Sequence, residues 1–228
     1  MLINSFNLLF NDPAAFVVQL ILLGVAFITA LSVHEFGHAY VAYRLGDTTA
    51  QRLGRLTLDP RAHLDPTGTL MLFLAGFGWG KPVPINPLYF RNGRPGIAMV
   101  AFAGPGSNVL LAILFALPFQ LGIIDIPNAT PLLTQLSIGL WVPWLLIYIV
   151  FINVILAIFN LLPFSPLDGS QILMGISPRN WLPFIARLQM YGPILLIMVV
   201  LADVFLRIGI IGGLIGPVVR WATRILLG

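Results

Sequence analysis

The chain has 228 residues, of which 58% are hydrophobic and only 9% charged, with a mean hydropathy of +0.96. A soluble domain carries about 25% charged residues and must wet its own surface, so this composition excludes a soluble globule and makes the lipid bilayer the natural solvent. The net charge of +4 does not indicate nucleic acid as a partner: the twelve basic residues stand between apolar runs, never five or six together, and read as membrane topology and headgroup contacts.

At about 20 apolar residues per span, the length allows roughly four to six transmembrane helices, an all-α polytopic membrane protein in a single domain over 1–228. Residues 1–12 are mixed and suit the interface. With no Lys or Arg in 1–13 and no small-residue cleavage site, they do not read as a cleaved signal peptide. A long helix is expected from Pro13 or Ala14 to about Leu45, stopped by Gly46 and Asp47. Its part 14–33 is apolar and long enough to span. Residues 47–66 form a polar loop with Arg52, Arg55, Asp59, Arg61 and Asp65.

Residues 67–90 hold an apolar run too short to span and broken by Gly and Pro. This predicts a membrane-embedded re-entrant or β segment, which would need protein or a wet cavity to cover its backbone. Further spans are expected at about 96–121, 140–162 and 191–206, with a short helix inside 170–190. The tail, 207–228, suits an interfacial amphipathic helix or a last partial span. Asp203, four residues before Arg207, is expected to form an ion pair with it near the membrane edge.

Basic residues crowd 44–94 and recur at Arg179 and Arg187, while 122–139 has none. By the positive-inside rule the loops 46–95 and 163–190 face the cytoplasm of the cell membrane. The arginines of the tail fit a four-span chain with an outer C-terminus less well.

His34-Glu35-Phe36-Gly37-His38 has the pattern H-E-x-x-H. On a helix, positions i and i+4 share a face, so two imidazoles can hold one Zn²⁺ while the glutamate next to the first reaches a metal-bound water as general base. The chain has three histidines and one glutamate, and two of the former and the latter lie within these five residues. In an apolar helix such groups are costly, which favours function over a chance cluster of packed histidines. Zinc needs a third protein ligand; ligand type alone also admits another divalent ion. With no cysteine, the candidates are His63, which reads better as a surface or interfacial histidine, and Asp168, which otherwise suits a helix N-cap. Depth favours Asp168. His34 and His38 stand eleven and seven residues before Leu45, roughly 10–16 Å into the membrane at 1.5 Å per residue. Asp168 follows a span ending on that same side, in a stretch that Pro163 and Pro166 break.

Three motifs in order, His34–His38, then Gly104-Pro105-Gly106-Ser107-Asn108, then 160–169 from Asn160 through Asp168 to Gly169, resemble the site-2 protease family of intramembrane zinc metalloproteases. The stretches 78–84 and 55–60 resemble its compact bacterial branch. No stretch reads as an appended PDZ or CBS module, and almost nothing precedes the first helix where some members have an extra span. The resemblance covers roughly 25–175. It implies one Zn²⁺ per chain on His34, His38 and Asp168, Glu35 as general base, and Asn160 steadying the scissile carbonyl or its oxyanion. Within the single domain a catalytic core of about 14–175 is expected, with a C-terminal span and amphipathic tail at about 187–228. The resemblance also implies transmembrane-helix proteins as substrates, with segment 67–90 pairing with their backbone. Asn108 then reads as helix packing near the site or as substrate-facing, and Asn153 as an interhelical hydrogen bond. An inactive zinc-binding scaffold and a metal transporter are the competing readings; the intact Glu35 argues against the first, and a single polar cluster instead of a path argues against the second.

Overall fold

A computed structural model of the chain describes residues 10, 12–75, 78–127, 138–206 and 208–228. The first helix, α1 (Pro13–Arg44), opens on Asp12, whose side chain accepts the Ala15 N–H at 3.0 Å, with Pro13 in the first turn; a short acceptor followed by a residue without an N–H is a strong helix start. It ends before Gly46, whose φ of +112° suits glycine alone. Short helices α2 (Thr49–Arg52), α3 (Pro60–His63) and α4 (Pro66–Ala75) follow, then a single 3-10 turn at Pro87–Tyr89. The long α5 (Arg94–Gln120) and α6 (Ile138–Asn160) complete a three-helix centre with α1. After them come α7 (Asp168–Ile176), α8 (Leu182–Leu206) and α9 (Ile210–Leu227).

The centre is held by small and β-branched side chains. Val18, Leu22 and Ala26 of α1 pack with Tyr148 and Ile149 of α6, and Ala112 and Ala116 of α5 pack with Val150 and Val154 of α6. In a bilayer, where lipid is as apolar as the protein, close van der Waals packing at small residues replaces the hydrophobic drive. Gly37 shows how close: a Cβ there would lie 2.7 Å from the Ala103 carbonyl oxygen. The outward faces carry exposed apolar side chains such as Phe102, Leu110 and Leu114 of α5, as a lipid-facing surface requires.

Segment 67–90 departs from the expected β character. Asp65 accepts the Gly68 N–H on its side chain at 2.8 Å and the Thr69 N–H on its backbone at 2.8 Å, which starts α4 as a helix. Among the described residues no strand forms; one antiparallel bridge joins Leu64 to Gly80. Pro82, Pro84 and Pro87 have no N–H to donate to a ladder, so the extended stretch that follows cannot grow into a sheet. Residues 76 and 77 lie outside the described set, as does Arg207, the expected partner of Asp203. The Asp203 carboxylate accepts the N–H groups of Ile210 and Ile211 and so caps α9.

Among the described residues five helical stretches are long and apolar enough to cross a membrane: α1, α5, most of α6, the stretch Arg179–Asp203 and α9. Contacts fix the direction of the last. Val219 packs with Ala112, Ala116, Val150 and Val154, and Gln120, at the C-terminal end of α5, donates to the Ile225 and Leu226 carbonyls. The helix α9 therefore runs parallel to α5 and antiparallel to α1. Ile211 stands eight residues before Val219, roughly 12 Å closer to the His34 end of the bundle. At its other end α8 lies beside α7, with Gln189 reaching the Ser170 carbonyl at 3.4 Å. Together α8 and α9 make one net crossing, and Gly228 emerges at the end of the bundle where α1 begins.

The absence of native cysteine makes this directly testable. In intact cells or sealed vesicles, single substitutions Ile123→Cys and Gly228→Cys should react with a membrane-impermeant maleimide from the same side, and Asn92→Cys only from the other. Labelling of Gly228→Cys together with Asn92→Cys would refute the single crossing.

Candidate metal centre

One turn of α1 presents two imidazoles on one face, and the first residue of α7 presents a carboxylate to both. His34 Nε2 and His38 Nε2 lie 3.1 Å apart. Asp168 Oδ2 is 3.1 Å from His34 Nε2, and Asp168 Oδ1 is 3.3 Å from His38 Nε2. Both histidines are buried, and Asp168 is nearly so. Among the described residues this is the group of His, Asp and Glu side chains that could hold a metal ion, with its ligand atoms within 4.8 Å of one another.

The other ring nitrogens are already occupied. His38 Nδ1 is 2.7 Å from the Val100 carbonyl oxygen, an acceptor only, so Nδ1 carries the proton. His34 Nδ1 is 2.6 Å from Asn108 Oδ1. Each neutral ring then turns a bare Nε2 lone pair inward, towards the other and towards a carboxylate. Three electron-pair donors converge and need positive charge between them. Burial raises the pKa of Asp168, which lies outside the five candidate spans; positive charge on the imidazole side outweighs burial and pulls it down, to about 2, so the carboxylate is ionised when that charge is present. Its Oδ2 is buried and makes no aligned hydrogen bond, an orphan that a cation would satisfy. The separations also fit: each Asp168 oxygen lies 3.1–3.3 Å from one Nε2 atom, and the two Nε2 atoms are 3.1 Å apart, close enough for both rings and the carboxylate to hold one ion with bonds of about 2.0–2.2 Å.

The backbone around the site is shaped to admit these rings. A Cβ on Gly104 would fall 2.4 Å from His38 Nε2 and 2.7 Å from His34 Cε1, so the motif at 104–108 first of all clears space for the ligands. A Cβ on Gly169 would fall 2.3 Å from the Leu162 carbonyl oxygen; glycine lets the chain fold back tightly after α6 and aim Asp168 at α1. Asp168 is the first helical residue of α7 and Leu167 holds the N-cap position, so the alternative role of Asp168 as a side-chain cap is not taken.

Glu35 lies beside the ligands with one carboxylate oxygen, Oε2, accepting the Val83 N–H at 3.1 Å. The extended stretch bearing Val83 is itself clamped: Arg55 donates to the Lys81 and Pro82 carbonyls. Burial pulls the Arg55 guanidinium below its usual value and the nearby Glu35 carboxylate pushes it back. Glu35, the three ligand side chains and Asn160 line one apolar cavity of about 970 Å³, shared with Phe27, Ile155 and Ile215 among others. Asn160 donates to the Leu156 carbonyl of its own helix at 3.0 Å, which leaves its second N–H and its oxygen for other partners.

His63 does not join the site, and it is not the surface histidine that its polar loop suggested. It is fully buried, with Nε2 2.8 Å from the Thr57 carbonyl and its own carbonyl accepting the Lys81 N–H at 2.8 Å; it pins the loop to the extended stretch. Three contributors escaped the sequence. Arg55 looks like one more topology-setting base, and the Val100 carbonyl and Val83 N–H are backbone groups with no residue signature. An asparagine at 108 within an apolar span was the one visible hint of a partner for His34.

Comparison with known proteins adds to this geometry. The profile described as Peptidase family M50 matches residues 119–200, a stretch that includes Asn160 and Asp168. A protein of Bacillus subtilis (strain 168) named as the putative zinc metalloprotease YwhC is 38% identical over 174 residues, 74% of this chain and 74% of that one. Proteins named as putative zinc metalloprotease Rip2 are 31% identical over 168 residues in Mycobacterium tuberculosis (strain ATCC 25618 / H37Rv) and 29% identical over 168 residues in Mycolicibacterium smegmatis. The matched part is 60% and 58% of those two relatives. No solved structure matches. A membrane chain with this donor set is of the metalloprotease class, and it belongs to peptidase family M50.

Metal content of the detergent-purified protein, measured by mass spectrometry, should be about one ion per chain, as for a three-ligand site with an open fourth position. Asp168→Ala should lose it and His63→Ala should keep it; loss with His63→Ala alone would refute the ligand set.

Proposed function

We propose that this chain is an intramembrane zinc metalloprotease that hydrolyses peptide bonds in transmembrane segments of membrane-protein substrates, in regulated intramembrane proteolysis. One observation carries the proposal: the donor set and Glu35 face a mainly apolar cavity lined by residues of the candidate membrane-spanning helices, among them Phe27, Ile155 and Ile215. Such a lining favours an apolar stretch of polypeptide as the occupant.

His34, His38 and Asp168 hold the ion, which when bound lowers the pKa of a coordinated water to about 7 and polarises a carbonyl. Glu35 takes the proton from the attacking water and delivers it to the leaving amine. Its Oε2 is anchored on the Val83 N–H, so the other oxygen is the one free for proton transfer. Asn160 offers an N–H to the developing oxyanion. Because a helical amide is shielded by its own hydrogen bonds, the substrate must unwind locally at the cut. The core at about 14–175 carries the chemistry, with the segment from about 187 onwards beside it.

The basic loops support a site turned towards the cytoplasmic side of the cell membrane. Arg52, Arg55, Arg61, Arg91 and Arg179 lie in the segments that join the spans at the end of the bundle where α1 terminates and α7 begins, the distribution the positive-inside rule associates with the cytoplasm.

The test uses the protein reconstituted in liposomes with single-span substrates. Wild type should cut within the apolar segment, with the site read by mass spectrometry. Glu35→Gln should keep its zinc and lose roughly 10²–10⁴-fold in rate, the worth of a general base. Asn160→Ala should keep zinc and lose about 10²–10³-fold, the worth of one oxyanion donor. Cleavage only of soluble peptides, or undiminished cleavage by Glu35→Gln, would sink the proposal.

A further inference from the structure

Behind His34 stands a pair of buried amides that no part of the reaction above uses. Asn108 of α5 and Asn153 of α6 are both fully buried. Asn153 Nδ2 is 2.8 Å from the Ile149 carbonyl, one turn back in its own helix. A carbonyl can only accept, so the Asn153 amide has one possible orientation and its Oδ1 faces Asn108. Asn108 Nδ2 donates to that Oδ1 at 2.7 Å and to the Ala30 carbonyl of α1 at 2.9 Å. Both of its N–H groups are then spent, and its Oδ1 is left to face His34 Nδ1 at 2.6 Å. An amide oxygen accepts, so the proton sits on His34 Nδ1 and the lone pair on Nε2.

We propose that Asn153 and Asn108 form a positioning relay that sets the tautomer and ring orientation of His34, so that Nε2 is delivered as a metal ligand. The relay rests on the reading of His34 as a ligand given above. Its polarity originates in two helix carbonyls, Ile149 and Ala30, which no rotation can reverse. Turning either amide over would set donor against donor or acceptor against acceptor in a fully buried space. His38 needs no such device: its Nδ1 donates to the backbone carbonyl of Val100, which side-chain substitution leaves in place. Only His34 depends on side chains for its tautomer. Groups that hold a ligating histidine through its far nitrogen typically tune metal affinity by 10–100-fold.

The experiment is zinc affinity of the full-length protein in detergent, by competition with a chelating dye, beside the melting temperature of the metal-free form. Asn108→Leu removes the acceptor and should weaken zinc binding about 10–100-fold. Asn108→Asp keeps an acceptor for the His34 proton but loses the N–H groups that face the Ala30 carbonyl and Asn153, so its zinc affinity should fall between those of wild type and Asn108→Leu. Asn153→Leu touches no ligand, yet it frees the Asn108 amide to turn and should weaken zinc binding by a smaller factor. A role in packing alone would lower the melting temperature of the metal-free variants and leave zinc affinity unchanged. Unchanged affinity in Asn108→Leu, or Asn108→Asp binding no better than Asn108→Leu, overturns the relay. If Asn108→Leu does not fold, unchanged affinity in Asn153→Leu overturns it. Wild type that binds no zinc overturns the metal centre itself, and the relay with it.

Discussion

Everything near the centre of this molecule depends on three electron-pair donors brought face to face inside an apolar bundle. His34 Nε2 and His38 Nε2 sit 3.1 Å apart, and the two Asp168 carboxylate oxygens each lie 3.1–3.3 Å from one of them. Unmet, such an arrangement is severely unfavourable where no water can screen it. It persists because each donor is aimed from behind: one ring by a backbone carbonyl, the other by an amide, and the carboxylate by a tight fold-back of the chain. The same arrangement that would be a liability in a structural core is a binding site once a cation enters it.

Holding three helices close enough to do this takes small residues. Glycines at 37, 104 and 169 each stand where a Cβ would strike a backbone oxygen or a ligand ring. Two of these follow from the need to pass backbones at close range; Gly104 instead makes room for the imidazoles. The glycine-rich motif at 104–108 thus has two separable parts, clearance at its start and a polar anchor at its end.

A second layer governs Glu35. The extended stretch from Lys81 to Ile85 is neither strand nor helix, and its prolines prevent it from pairing further. Arg55 holds its carbonyls from one side, His63 ties the Lys81 N–H, and Val83 turns its own N–H to Glu35. A polar loop far from the site in sequence therefore determines where the carboxylate points, and which of its oxygens is free. The cavity beyond it lies among apolar helices.

Much of this was legible in the chain itself. Apolar runs about 20 residues long marked the second and third spans to within a few residues, because burial in lipid demands length and composition together, whereas the span expected at 191–206 begins near Arg179. The H-E-x-x-H spacing identified two ligands and a base, because helical periodicity alone places them on one face and its neighbour. Other features depended on contacts between distant segments. Segment 67–90 turned out helical at 66–75, since the Asp65 cap outweighed the glycines that suggested extended backbone. His63 reads as a surface or interfacial residue because its loop is rich in charges, but the loop turns it inward onto the Thr57 carbonyl, where it is fully buried. The direction of α9 could not be read from three arginines, but it follows from where Val219 and Gln120 find their partners. Sequence determined which groups could ligate, since residue type and local spacing carry that. Tertiary structure alone decided which nitrogen of each histidine is free to do so, because that depends on the Val100 carbonyl and the Asn108 amide, more than 60 residues away in the chain.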